Sequence, residues 1–426
     1  MLEYIGFTLK TDKSGTHNSR IKARINLNYF KLSALVMSFK QFTFHCYGLL
    51  FSLTFIEAIL YRDHVAGPID DSTLKRPKCL DGSDAVYYHS SNEETDIKDI
   101  LIYLQPGGYC HNIETCRFRC TVAPYMCTAP QHENMSQLEG ILSDDHDKNP
   151  SLWNFYKMVI PYCSGDMFTG KASPFRVEES AGGFFFHGRY MLETIITRMR
   201  EQGLLGSVRR VVLAGSSAGG AGVALNCNYI ASLLGIAIYT SCIVDGAFFY
   251  PVSEPMHPNP TSESIDAVLE EGARLWAAPD IAKFELHGAW WDTIGHPLLI
   301  TTAVVDQFGF QSYCGDTNNE TDINIWTTGV VAKTAALSQN VSIFMPSCYD
   351  HMLLIDDDVY NEVKVKVKVG NRSRDRMTLA HVINMWLDGH VTVKAIDSCE
   401  DNDVLCNSDC PHNILTYWQM TNYGFH

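Results

Sequence analysis

Val211-Val-Leu-Ala-Gly215-Ser216-Ser217-Ala218-Gly219-Gly220 is the stretch on which the reading of this chain turns. A short apolar run enters a G-x-S-x-G pattern, and residues 222–234 beyond it have helical character. Strand, sharp turn and helix is the context in which that pattern exposes a nucleophilic serine. The turn holds Ser217 in a strained backbone conformation, so glycine is needed two residues away on either side. It lifts the hydroxyl above the sheet edge, and the helix that follows offers free N–H groups and the positive end of its dipole. A glycine-rich turn that only packs, or that holds a phosphate, is the competing explanation. The apolar strand before the turn and the helix after it favour catalysis.

Outward from this turn, short and almost continuously apolar runs fall at 99–104, 157–162, 210–214, 240–244, 298–305 and 341–345. Such runs suit strands buried on both faces of a parallel sheet. Helical stretches are expected at 179–201, 218–234, 262–277, 322–338 and 377–387. The alternation implies an α/β fold, a doubly wound and mostly parallel sheet of the α/β-hydrolase type in a single large domain. Ligands of such a sheet bind at the carboxyl ends of its strands. The run Val363-Lys-Val-Lys-Val-Lys-Val369 alternates with period two. It is expected as an edge strand or hairpin arm whose lysines face water, in preference to a basic strip for an acidic glycan or a membrane surface.

Serine at its free pKa is a poor nucleophile and needs a base, itself oriented by a carboxylate. In α/β-hydrolases the chain order is serine, acid, histidine. Asp306 ends the apolar run Leu298-Leu-Ile-Thr-Thr-Ala-Val-Val305, and His351 follows Val341-Ser-Ile-Phe-Met-Pro-Ser-Cys-Tyr-Asp350. Asp245 also ends a strand, and is otherwise read as a structural carboxylate beneath the site; Asp350 adjoins the base but points elsewhere. His187, His257, His287 and His296 have no strand-end position and are read as packed or solvated. The oxyanion needs backbone N–H donors. These are expected from Ala218 and from Gly107 or Gly108, in the loop Gln105-Pro-Gly-Gly-Tyr-Cys110 that a Cys110 disulfide would restrain.

The chain of 426 residues has 46% hydrophobic and 19% charged residues, the balance of a globular protein. Its net charge is -15, yet residues 1–40 are basic, which leaves the remainder with 26 basic against 46 acidic side chains. An acidic body argues against nucleic acid as a partner, because phosphate binding needs a basic face. Fourteen cysteines, several closely grouped at 110–127 and 399–410, lack CxxC or histidine partners at metal spacing. They are read as disulfides of an exported protein, with no metal or cofactor required. The sequons at Asn134, Asn319, Asn340 and Asn371 agree with export. Residues 46–56 form an apolar run of signal-peptide length, preceded by Met37-Ser-Phe-Lys40. Residues 1–60 are therefore expected as a leader whose signal peptide starts at Met37. A short segment at 61–78, a catalytic domain at 79–412 and a tail at 413–426 follow. If Cys46 leaves with the leader, thirteen cysteines remain and one has no pairing partner.

These motifs together resemble the pectin acetylesterase/Notum family of carboxylesterases, over residues 79–411. The resemblance runs through Cys79-Leu-Asp-Gly-Ser83, Gly107-Gly-Tyr-Cys110, Gly140-Ile-Leu-Ser143, Asn149-Pro150, Ile160-Pro-Tyr-Cys-Ser-Gly-Asp166, Phe168-Thr-Gly170, the Ser217 turn, Asp397-Ser-Cys399, Cys406-Asn407 and Cys410-Pro411. Ile160–Asp166, the Ser217 turn and the terminal cysteines are more similar to the animal Notum branch than to the plant one. The resemblance implies a secreted serine esterase with Ser217, Asp306 and His351 as triad. In the animal branch the substrate is the palmitoleoyl ester on a serine of Wnt proteins, whose signal the enzyme silences. In the plant branch it is acetyl on pectin. Two departures bear on the acyl pocket: Gly108 stands where the Notum pattern has tryptophan, and Val244-Asp-Gly-Ala-Phe-Phe249 differs from it as well. A long acyl chain would need an apolar pocket, expected from Phe248, Phe249, Trp276, Trp290 and Trp291 unless these are ordinary core. The partner is then a lipidated Wnt or an acylated glycan, with cell-surface glycan as a further contact. A catalytically dead lipid- or glycan-binding protein on the same fold is the alternative from another class.

Overall fold

The computed structural model describes residues 60–64, 76–90, 97–132, 134–136, 138–171, 183–248, 265–278, 290–314, 320–370, 372–389, 391–397, 399 and 405–411. These belong to a compact unit that begins at Glu57; residues 1–56, with the expected signal peptide, lie outside the described residues. So do the expected tail 413–426 and Asn319, Asn371, Phe249, His257 and His287.

A twelve-stranded sheet forms the centre. Its strands are β1 (Leu60–His64), β2 (Val86–His89), β3 (Asp99–Leu104), β4 (Asn134–Met135), β5 (Tyr156–Ile160), β6 (Arg210–Ser216), β7 (Tyr239–Asp245), β8 (Leu298–Thr301), β10 (Ser342–Met345), β12 (Lys364–Val369), β13 (Arg372–Thr378) and β14 (Val393–Ile396). Two further short strands, β9 (Val305–Asp306) and β11 (Tyr349–Asp350), pair only with each other. The order across the large sheet is β13-β12-β14-β10-β8-β7-β6-β3-β5-β2-β1-β4. The seven strands from β14 to β5 are parallel, and antiparallel strands close both flanks.

Burial on both faces explains the continuous apolar runs. Ile100, Ile102, Leu104, Val211 and Leu213 face one core cluster, while Leu101, Tyr103, Val212 and Ala214 face the other. Helices α1 (Ile113–Val122), α2 (Gly188–Glu201), α3 (Ala218–Leu234), α4 (Ile265–Leu275), α5 (Gln307–Cys314), α6 (Glu320–Ala336), α7 (Asp357–Glu362) and α8 (Leu379–Gly389) connect the strands. From β3 the chain proceeds to β5 on one side; from β6 it proceeds to β7, β8, β10 and β14 on the other. The switch point therefore lies at the carboxyl ends of β3 and β6, where such sheets bind their ligands.

Two elements differ from the sequence expectation. The helix expected over 179–201 begins only at Gly188. Asp166 captures the Gly188 amide at 2.8 Å, and residues 184–187 approach it as irregular backbone. The run 298–305 is two strands rather than one. After Thr301 the chain steps out of the large sheet, its amides at Thr302 and Val304 donating to the carbonyls of Phe344 and Pro346. It then forms the separate β9/β11 pair, in which Val305 opposes Tyr349 and Asp306 opposes Asp350.

The period-two run is a hairpin arm. Lys364, Lys366 and Lys368 are exposed, Val365 and Val367 are buried, and β13 rather than β12 is the outermost strand. Among the described residues, disulfides join Cys79–Cys163, Cys110–Cys116, Cys120–Cys127, Cys227–Cys242, Cys348–Cys410 and Cys399–Cys406. No described helix is long and apolar enough to cross a membrane.

Candidate active site

Ser217 sits between the last residue of β6 and the first of α3, with φ 54° and ψ −121°. A non-glycine residue in that region is strained, and the surroundings must hold it there. They do so by close backbone packing. A Cβ on Gly219 would lie 2.0 Å from the Leu104 carbonyl oxygen, and one on Gly215 would lie 2.6 Å from that of Gly219. The Ser217 amide donates to the Asp245 carbonyl at 2.8 Å, and Ala221 donates to the Ser217 carbonyl at 2.9 Å.

His351 comes to this turn from 134 residues downstream. Its Nε2 lies 2.8 Å from Ser217 Oγ, and its Nδ1 lies 2.8 Å from Asp306 Oδ2. All three side chains are buried. The second oxygen of Asp306 accepts the Gly309 amide at 2.7 Å, so the carboxylate caps α5 with one oxygen and holds the imidazole with the other. That geometry suits Nδ1–H as donor to Asp306 and leaves Nε2 to accept from the serine. The Phe308 ring stacks on the imidazole, centroids 5.4 Å apart. Burial works against the charged imidazolium, but Asp306, Asp245 and Asp350 outweigh it and hold the His351 pKa above its ordinary value.

Asp245 is not the partner of the histidine; it is an anchor beneath it. Its carboxylate accepts from Ser216 Oγ (2.6 Å), Thr301 Oγ1 (2.7 Å) and the amides of Leu353 (3.1 Å) and Leu354 (3.2 Å). Burial pushes its pKa up to about 6. Tyr103, buried on β3, completes the chain by donating its hydroxyl to Ser216. Asp350 turns back to accept its own neighbour's amide, His351 N, at 2.6 Å. Gly246, at φ 55°, leaves room for the base: a Cβ there would lie 2.2 Å from the His351 carbonyl oxygen. The anchoring role of Leu353, Leu354 and Gly246 is a matter of backbone amides and absent atoms, to which residue type gives little clue.

Gly107 and Gly108 follow β3, beside the elbow, for the same Cβ on Gly219 would also meet the Gln105 carbonyl at 2.8 Å. Gly108 has φ 65°, a conformation that favours glycine. Cys110 is tied to Cys116 on α1, as a restraint on this loop requires. Ala218 opens α3, where the first amides of a helix have no intrahelical acceptor. Of the other histidines, His187 is buried and accepts the Lys78 amide at 3.1 Å. Trp276 and Trp291 are core side chains; Trp276 donates to the Cys110 carbonyl at 2.9 Å, and Trp291 packs on Phe248. Among the described residues no group of histidine, cysteine and carboxylate side chains is arranged to hold a metal ion.

A family model for pectinacetylesterase matches residues 65–279. The chain belongs to the pectinacetylesterase family. Palmitoleoyl-protein carboxylesterase NOTUM of Schmidtea mediterranea is 29% identical over 302 residues, covering 65% of this chain and 56% of the relative. Human palmitoleoyl-protein carboxylesterase NOTUM is 26% identical over 78% of this chain and 71% of its own length. Pectin acetylesterase 5 of Arabidopsis thaliana is 24% identical over 78% of this chain and 81% of its own. The chain thus spans just over half the length of the planarian relative. The crystal structure of the Wnt deacylase Notum from Drosophila superposes with a TM-score of 0.69 over 83% of this chain and 99% of that one, at 22% identity, which establishes the fold.

Proposed function

We propose that this family member is a secreted serine carboxylesterase of the Notum type, hydrolysing the palmitoleoyl ester on a Wnt serine and so inhibiting Wnt signalling. The observation that carries the reading is the buried relay in which His351 bridges Ser217 and Asp306 at 2.8 Å on each side. His351 takes the Ser217 proton as Oγ attacks the ester carbonyl, and Asp306 stabilises the imidazolium that forms. The amides of Ala218 and of Gly107 or Gly108 receive the developing oxyanion. The alcohol leaves with the proton from His351, and a water activated by the same ring then releases the acid. Six disulfides and the exposed sequons at Asn134 and Asn340 support export.

Gly108, where the Notum pattern has tryptophan, and the longer span of the Arabidopsis relative that is matched favour a second reading, a polysaccharide O-acetylesterase. The two are separated by labelling the secreted protein with a fluorophosphonate, mapping the modified peptide and profiling p-nitrophenyl esters by chain length. Label on Ser217 with preference for octanoate and longer chains is expected. A steep preference for acetate makes the acetylesterase reading the correct one, and an unlabelled Ser217 removes both in favour of a binding protein.

A further inference from the structure

We infer that Arg119 is a positioning residue that drives the Gly107–Gly108 peptide as an oxyanion donor, through a buried positive charge that gains its full counter-charge only in the transition state. The inference rests on the reading of Gly107–Gly108 as part of the oxyanion site.

Arg119 lies on α1 and is 8% exposed. Its Nη1 donates to the Gly107 carbonyl at 2.5 Å, its Nη2 donates to the Met126 carbonyl at 3.3 Å, and its guanidinium lies over the Tyr162 ring at 5.4 Å. Nε has no hydrogen-bond partner among the described residues, and none of their carboxylates lies within ion-pair distance. The carboxylate that influences it, Asp166, acts without direct contact; its own oxygens are taken by the Ser164 hydroxyl and the amides of Phe168, Gly170 and Gly188. Burial accordingly depresses the Arg119 pKa. A cation withdrawn from water without a paired anion is costly and is retained only where something offsets the cost.

The location indicates what does. The carbonyl that Arg119 grips and the Gly108 N–H belong to one peptide unit. A charged donor on the oxygen pulls electron density through that unit and makes its N–H a stronger donor. In the ground state the substrate carbonyl is nearly neutral. When Ser217 attacks, a full negative charge appears, and the buried cation behind the peptide then stabilises it across a low-dielectric path. The gain is therefore larger for the transition state than for bound ester. The scaffold around the guanidinium is correspondingly rigid. Disulfides flank it on both sides, Cys116 to Cys110 and Cys120 to Cys127, and Asn112 with Thr115 closes a capping box at the start of α1. The peptide packs tightly on Tyr162, where a Cβ on Gly107 would lie 2.7 Å from Cδ1, and it touches the guanidinium at ordinary contact, a Cβ on Gly108 lying 3.6 Å from Arg119 Nη1.

The test compares Arg119→Met, Arg119→Gln and Arg119→Lys in full-length secreted protein. The readouts are kcat and KM for a soluble p-nitrophenyl ester and the Ki of a trifluoromethyl ketone that forms a tetrahedral adduct. For Arg119→Met, kcat is expected to fall on the order of 10- to 100-fold with KM within about twofold, the ketone weakening by the same factor as kcat/KM. Arg119→Lys, which keeps the charge, recovers most of the loss. If Arg119→Met does not fold, Arg119→Gln against Arg119→Lys carries the same comparison. An uncharged variant with kcat/KM within twofold of wild type, a lost kcat with unchanged ketone affinity, or a lysine variant as impaired as the uncharged one overturns the inference. Wild-type protein that neither hydrolyses ester nor labels at Ser217 overturns the esterase reading itself, a separate and recognisable failure.

Discussion

The backbone carbonyl of Asp245 accepts the Ser217 amide at 2.8 Å, while the carboxylate of the same residue holds the amides of Leu353 and Leu354, just past His351. One residue thus fastens the turn of Ser217, the proposed nucleophile, to the segment that carries His351, the proposed base. Asp245→Asn keeps the shape but replaces one acceptor oxygen with an NH2 group facing donors. Stability is expected to drop by roughly 1–3 kcal/mol in a denaturant titration. On a soluble ester, kcat should fall on the order of tenfold to a hundredfold as the imidazole drifts from the serine. A variant with wild-type kcat would show that the anchor is dispensable.

In the proposed esterase catalysis needs His351 neutral, and its carboxylate neighbours raise its pKa. The acid limb of kcat/KM should therefore have its midpoint above the ordinary imidazole value of about 6.5. Asp306→Asn removes the strongest of the charges that raise it, so the limb moves to lower pH, and kcat at the optimum falls about 10⁴-fold because the wrong tautomer faces the serine. A pH–rate profile of both proteins checks both statements.

Gly246→Ala asks whether the base loop needs the room that Gly246 leaves. The added methyl meets the His351 carbonyl oxygen at 2.2 Å, in a backbone conformation that alanine disfavours by about 1–2 kcal/mol. Loss of activity of about a hundredfold, with fluorophosphonate labelling slowed in parallel and the far-ultraviolet circular dichroism unchanged, is the expected result.

Asp350 is buried, and burial, with Asp356 adding to it, pushes its pKa to about 7. A carboxyl raised on folding binds its proton more tightly in the native state. Its effect on stability is thus absent well below pH 4, and stability is lost as the pH rises from there to about 7. Asp350→Asn should flatten that decline by up to a few kcal/mol, measured as the difference in unfolding free energy between pH 4.5 and pH 8. Parallel curves for the two proteins would rule this out.

Much of the sheet can be read from the sequence because its strands are buried on both faces, so Leu101 to Leu104 and Val211 to Ala214 carry no charged residue. The elbow at Ser217 is legible for a related reason: only glycine tolerates the approach of Gly219 to Leu104. The strand ends also pick out Asp306 and His351, which the fold brings to hydrogen-bonding distance of one another. What stays hidden is set by partners remote in the chain. Val305–Asp306 reads as the tail of β8, because leaving one sheet for another is decided by the carbonyls of Phe344 and Pro346. The start of α2 is hidden too, since the carboxylate that fixes it, Asp166, lies 22 residues upstream of Gly188. The sequence leaves Trp276 and Trp291 open between pocket wall and core, and the fold buries both in the core cluster.

Asp306 ends, and His351 directly follows, a seam only two residues long, Val305–Asp306 against Tyr349–Asp350. Side chains alternate across a strand, so shifting Tyr349–Asp350 by one residue along Val305–Asp306 would turn the opposite face of that strand, and the His351 that follows it, toward the serine. Gain or loss of a single residue between Met345 and Tyr349 should therefore abolish the proposed esterase activity even with Ser217, Asp306 and His351 all present. Anyone grafting new specificity onto this scaffold must leave the length of that connection alone.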